Sequence, residues 1–122
     1  MTDTPAQMTI YHNPRCSKSR ATLALLAASG ERYRIIEYLS DPPNAGQIRD
    51  LLGKLGLPAN RLVRRGEPQY AALFGDVEPD EAALIEAMAR YPILIERPVV
   101  VRGAHAVICR PPENLQQLLE PR

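Results

Sequence analysis

The stretch YHNPRCSKSR, residues 11–20, holds the side chains of this chain best suited to covalent chemistry. A single thiol, Cys16, follows a proline and an arginine, and Arg15, Lys18 and Arg20 all lie within four residues of it. A cysteine attacks as its thiolate, and that form is favoured by nearby cations and by the unpaired N–H groups of a helix N-terminus. The same donors make a nest for a tetrahedral oxyanion. The residues therefore fit a thiol that attacks a bound anion. Three positions after Cys16, where a disulfide-forming pair would carry its second cysteine, stands Ser19. A resolving thiol would then have to arrive from solution.

The elements needed to position that thiol are legible in the pattern. MTIYH (8–12) reads as a short strand broken by Asn13-Pro14, and a helix follows from Ser17 to Ala28, with Leu23, Leu26 and Ala27 on one side and Ser29-Gly30 as its stop. This puts Cys16 at a strand-to-helix turn. RYRIIEYL (32–39) is a second strand. Asn44 caps a helix to about Leu55, with Ile48, Leu51, Leu52 and Leu55 at i, i+3, i+4, i+7 spacing. GLPANRLVRR gives a short helical turn, and a helix over Asp80–Arg90 turns Ala83, Leu84, Ala87 and Met88 inward. Strands 98–102 and 105–109 form a hairpin about a Gly-containing turn, and ENLQQLLEP closes as a helix with Leu115, Leu118 and Leu119 on one face. Strand, helix, strand, several helices, hairpin, helix is the thioredoxin-like α/β order, β-α-β then β-β-α. It predicts a four-stranded mixed sheet, with helices covering its faces and a helical insertion at about 44–91. Pro98, opening the third strand, stands where that fold wants a cis-proline facing the active cysteine.

Composition sets outer bounds. A chain of 122 residues closes one core, expected over 8–122 after a flexible tail at 1–7. A net charge of +1 argues against a broad nucleic-acid or anionic-membrane surface. Twelve prolines, about twice the usual share, fall mostly between periodic segments and so punctuate rather than disorder the chain. No leader pattern and no long apolar run is visible, so a cytoplasmic location without membrane contact is expected. A lone cysteine is by default a small buried hydrophobe; the turn and its charges reverse that reading for Cys16, while Cys109, in a β-branched run, keeps it. No bridge between the two is expected in a reducing compartment. His105 falls at the hairpin turn, and no His/Cys cluster has metal-ligand spacing, so no metal is expected. A phosphatase-type Cys-x5-Arg loop is absent, because its arginine position is Thr22.

TIYHNPRCSKSR resembles the active-site loop of the glutaredoxin-coupled arsenate reductase (ArsC) family, whose pattern is His-Asn-Pro-x-Cys, two residues, then Ser-Arg. PILIERPVVV (92–101), ICRPPE (108–113), YLSDPP (38–43) and LVRRGEPQY (62–70) are similar to further stretches of that family, so the resemblance spans residues 8 to 120 in order. It implies Cys16 as the nucleophile and Arg64, Arg97 and Arg110 as the oxyanion site, converging near Cys16; Arg65 stands beside Arg64 as the competing choice. His12 would help depress the thiol pKa, the Ser19 hydroxyl would donate to the thiolate, Arg20 completes the Ser-Arg pair, and Asn13 shapes the turn. Guanidinium suits an oxyanion because its planar fork binds bidentately and stays charged. The implied activity is reduction of arsenate to arsenite, with glutathione as cosubstrate and glutaredoxin as partner, no bound cofactor, and a monomeric protein in arsenic detoxification. Lys18 departs from the smaller uncharged residues of better-studied members and bears on which anion is accepted; the loop matches a subgroup sharing NPRCSKSR. Two other readings stay open: a thiol oxidoreductase of this fold acting on another substrate, such as a glutathione mixed disulfide, and a non-enzymatic Spx-like regulator that binds RNA polymerase. Ser19 counts against the latter, which typically carries Cys-x-x-Cys.

Overall fold

A computed structural model describes residues 7–119. The tail expected at 1–7 lies, apart from Gln7, outside the described residues, as do positions 120–122. The chain divides into two compact units, one formed by Met1–Glu37 with Arg97–Arg122 and the other by Tyr38–Glu96.

The first unit contains strand β1 (Met8–Tyr11), helix α1 (Ser17–Ser29), strand β2 (Tyr33–Ile36) and the hairpin β3 (Val99–Arg102) with β4 (His105–Ile108). The strands form one mixed sheet in the order β2-β1-β3-β4, with β1 parallel to β2 and antiparallel to β3, and β3 antiparallel to β4. This is the expected thioredoxin-like fold. The register sets Ile10 opposite Val100 and Val100 opposite Val107, so one face presents a row of β-branched side chains. Met8, Ile10, Val100 and Val107 pack there with Leu26 of α1, Cys109, and Leu115 and Leu118 of the C-terminal segment. That segment is a 3-10 turn (Pro112–Leu115) running into a short helix, Gln116–Leu119. The first and last helices of the unit thus join the same core cluster on one face of the sheet. Gly103 makes the hairpin turn at φ +61°, a left-handed conformation that an L side chain disfavours. The Arg97–Pro98 peptide ahead of β3 is cis, as the sequence predicts, and so is Arg110–Pro111.

The inward stripe of α1 differs from the one read off its leucines. Ser19, Thr22 and Leu26 are buried, Leu23 is half-buried and Ala27 is exposed. Two polar side chains tolerate burial because each has a partner: Thr22 Oγ1 donates to Lys18 O (2.9 Å), and Ser19 bonds into the preceding loop.

The second unit is built on α2 (Ala45–Leu55) packed against α4 (Glu81–Arg90). Asn44 caps α2 in a full capping box with Gln47, and Asp80 caps α4 by accepting from Ala83 N–H (2.8 Å). Ile48, Leu51 and Leu52 of α2 are buried, as are Leu84, Ile85, Ala87 and Met88 of α4, so Ile85 replaces the expected Ala83 on the inward face. Between them a 3-10 turn covers Ala59–Arg61 and a seven-residue helix, α3 (Pro68–Phe74), follows. The sequence did not announce α3 because only Tyr70 on it is buried, leaving no apolar period to read. An isolated antiparallel bridge joins Val63 to Ile95, with Arg64 N–H donating to Leu94 O (2.6 Å) and Glu96 N–H to Leu62 O (2.8 Å). It brings Arg64 and Glu96 side by side.

Among the described residues no helix is long and apolar enough to cross a membrane, and no group of three or more His, Cys, Asp or Glu side chains is placed to hold a metal ion.

Candidate active site

The site begins where β1 ends. His12 N–H still pairs with Ile36 O (2.8 Å), continuing the parallel ladder one step beyond the strand, and then the chain turns. Cys16 N–H donates to Asn13 O (3.0 Å), while Asn13 Oδ1 accepts from Arg15 N–H (2.9 Å). An asparagine whose side chain bonds two residues on is a compact turn former, which is the role expected of Asn13. The turn delivers Cys16 to the N-cap of α1 with extended backbone (φ −96°, ψ 124°).

An N-cap residue commonly offers an oxygen to the N–H groups of the first turn. Cys16 makes no conventional capping bond; instead the N–H groups of Ser19 and Lys18 act on the sulfur and favour its thiolate. Burial of the half-exposed thiol pushes its pKa up and is the largest single influence. It is outweighed by the Ser19 N–H, a hydrogen bond from the Arg97 side chain, the Lys18 N–H and the charge of Arg97 acting together, so the thiol titrates below its ordinary value. The cations of Arg15, Lys18 and Arg20 do not figure among these causes. Lys18 acts through its backbone, and Arg20 donates from Nη1 to Pro14 O (2.9 Å), tying the loop to the helix.

Ser19 and His12 are placed differently from what the resemblance implies. Ser19 is fully buried, and its Oγ accepts from Asn13 N–H (3.0 Å) and lies 2.7 Å from His12 Nδ1. The hydroxyl is therefore engaged with the loop, and the backbone N–H of Ser19 is what serves the sulfur. His12 is buried as well. Burial lowers its pKa, with Arg20 adding to the effect and Glu37 opposing it, so at neutral pH the ring is uncharged. A neutral ring cannot depress the thiol pKa as a cation would. It holds Ser19, and Ser19 holds the turn.

Arg97 and Arg110 stand at strand ends, each immediately before a cis-proline. Arg97 bonds the sulfur, and Arg110 Nη1 donates to Arg97 O (3.2 Å), so Arg110 lies against the backbone of the arginine that meets Cys16. Arg64 belongs to the second unit. There its Nε donates to Glu67 (3.3 Å) and its Nη1 to Glu96 (3.0 Å), with all three side chains largely covered. Arg65 is more exposed, pairs with Glu78 (3.1 Å) and lies over the Tyr70 ring. Cys109 is fully buried, and burial alone raises its thiol pKa to about 12, which makes it inert. His105 is exposed. The bond from Arg20 to the Pro14 carbonyl has no signature in residue type, since every residue carries a backbone carbonyl.

Comparison with known proteins places these features in a family. The profile of the ArsC family matches residues 11–118. Uncharacterized protein YfgD of Escherichia coli K12 is 46% identical over 115 residues, 93% of this chain and 97% of that one. An arsenate reductase of Neisseria meningitidis (serogroup A) is 39% identical over 115 residues, covering 93% and 98%. Among solved structures, the arsenate reductase from Vibrio cholerae superposes with a TM-score of 0.87 at 42% identity, covering 92% of this chain and 97% of that one.

Two outcomes follow from the placement of the donors. Alkylation of Cys16 by iodoacetamide, followed against pH, will show a midpoint below that of a free cysteine, and Arg97→Gln will move it upward by removing both a hydrogen bond and a charge that lower it. Ser19→Ala keeps the N–H that serves the sulfur, so the midpoint will hold, while the lost hydroxyl leaves buried Asn13 N–H unpaired and lowers unfolding stability in urea by about 1–3 kcal/mol.

Proposed function

The chain belongs to the ArsC family, and from that premise we propose that it is an arsenate reductase whose nucleophile is Cys16. The observation that carries this reading is a thiol with a lowered pKa at a helix N-cap, bonded by Arg97, with Arg110 against the backbone of Arg97. Such a group is a nucleophile and an anion receptor at once.

In the proposed cycle, arsenate sits against the arginines and the first-turn N–H groups. The Cys16 thiolate attacks arsenic, an arsenic–sulfur bond forms and one arsenic oxygen leaves as water. Glutathione then enters on this adduct. Two electrons taking arsenic from the +5 to the +3 state come from two thiols that finish as a disulfide, and arsenite leaves. Glutaredoxin reduces the glutathione-bearing enzyme and returns Cys16 to the thiolate. An external resolving thiol is required in this reading because position 19 is a serine. Arg64 is proposed as the third oxyanion ligand on the strength of the family motif, its charge offset at rest by Glu67 and Glu96.

The test is NADPH oxidation coupled through glutathione reductase, glutathione and glutaredoxin, with and without arsenate. Wild type will turn over only with arsenate, and Cys16→Ser will abolish it. Arg97→Gln and Arg110→Gln will each raise KM for arsenate roughly ten- to a hundredfold, the worth of a charge-assisted hydrogen bond. Arg64→Gln will act in the same direction, and an unchanged KM removes Arg64 from the site. Absence of any arsenate dependence, from protein whose Cys16 still alkylates at neutral pH, overturns the substrate and leaves an activated thiol serving another one.

A further inference from the structure

The charge around Cys16 exceeds what the thiol uses. Residues 4–30 contain no Asp or Glu, yet carry Arg15, Lys18 and Arg20, in a chain whose net charge is only +1. Arg20 is committed to the Pro14 carbonyl. Arg15 and Lys18 are exposed, and among the described residues neither side chain makes a hydrogen bond or an ion pair. Neither charge is among the influences on the Cys16 thiol.

Lys18 is also badly placed for stability. It lies in the first turn of α1, where the helix dipole is positive and no acidic residue balances it. A cation there is unfavourable by a few tenths of a kcal/mol to about 1 kcal/mol. A solvated glutamine would suit that position better. Arg15 flanks the thiol from the other side, one residue before it, on a loop whose backbone is fixed by Asn13. Two exposed, uncommitted cations thus flank the nucleophile in the chain, on a turn held by Asn13. Neither is spent on the sulfur itself, which leaves both for a larger molecule that approaches it.

We propose that Arg15 and Lys18 form a carboxylate-binding rim that selects the thiol which resolves Cys16, favouring an anionic peptide thiol of the glutathione class over a neutral one. The proposal rests on the reading of Cys16 as a nucleophile resolved from solution. The carboxylates of the incoming peptide pair with the two cations and bring its sulfur to Cys16. The exchange itself is ordinary: the incoming thiolate attacks the Cys16 sulfur of a mixed disulfide, a new sulfur–sulfur bond forms, and the old partner leaves as a thiolate.

The test needs no arsenate, so its failure is separable from failure of the arsenate reading. Cys16 is converted to its mixed disulfide with 2,2′-dithiodipyridine, an uncharged reagent, and release of thiopyridone is followed on adding glutathione or 2-mercaptoethanol. The quantity read is the ratio of the two second-order rate constants. In Arg15→Gln/Lys18→Gln that ratio will fall roughly three- to tenfold, the worth of two solvent-exposed charge pairs. Arg15→Glu/Lys18→Glu will lower it further, and raising the salt concentration will bring the wild-type ratio toward that of the glutamine variant by screening. A ratio insensitive to both substitutions and to salt, or a loss that falls equally on the two thiols, overturns the rim.

Discussion

The structure turns on one electrostatic balance, the stabilisation of a sulfur anion at the N-terminus of α1. Partial burial works against the thiolate, and a few well-aimed donors outweigh it: two first-turn N–H groups and one guanidinium. Such donors work only if the sulfur stays within their reach, so the surrounding structure is arranged to hold a turn still. The parallel pairing of β1 with β2 extends through His12 to Ile36, which fixes where the turn starts. Leu26 at the far end of α1 is anchored in the sheet's apolar face, which fixes where the helix points. The hairpin β3–β4, in register with β1, sets the strand ends from which Arg97 reaches the sulfur and Arg110 reaches Arg97.

Charge is divided by task. Arg97 meets the sulfur, Arg110 braces Arg97, and Arg20 closes the loop against the helix. In the other unit Arg64 is held between two glutamates beside the Val63–Ile95 bridge. His12, which residue type alone would suggest as a titrating partner, is kept neutral by burial and serves to hold Ser19. Proximity to a reactive group is thus a poor guide to what a charged or titratable side chain does; its hydrogen-bond partners decide.

Much of the fold was legible because it is written in short-range terms. Asn44 and Asp80 cap the helices they precede, Gly30 ends α1 in the left-handed region, and the β-branched runs at 99–102 and 105–108 pair as a hairpin. The helix α3 is not legible, because a seven-residue element with one buried side chain has too little period to reveal it. The buried face of α1 departs from its apolar pattern because Ser19 and Thr22 go inward by satisfying their hydroxyls locally. Around the thiol, Cys16, Arg97 and Arg110 were recognisable as candidates from motif and position, and of the two arginines it is Arg97 that bonds the sulfur. The roles of Ser19 and His12 were not, because residue type does not say whether a hydroxyl or its neighbouring N–H faces the sulfur.

That last distinction bears on why the loop carries one cysteine rather than two. Position 19 is fully buried, and its oxygen accepts from Asn13 N–H while bonding His12. Sulfur is larger and a weak acceptor. A cysteine there would give up two buried hydrogen bonds that hold the turn, and its thiol would occupy the space of a hydroxyl directed at the loop. A second thiol at position 19 would therefore be gained at the expense of buried contacts that stabilise the loop, while the backbone N–H that serves the Cys16 sulfur is supplied by any residue there. Serine at this position keeps both bonds in place, so the loop's single thiol stands on a turn whose buried polar groups are satisfied.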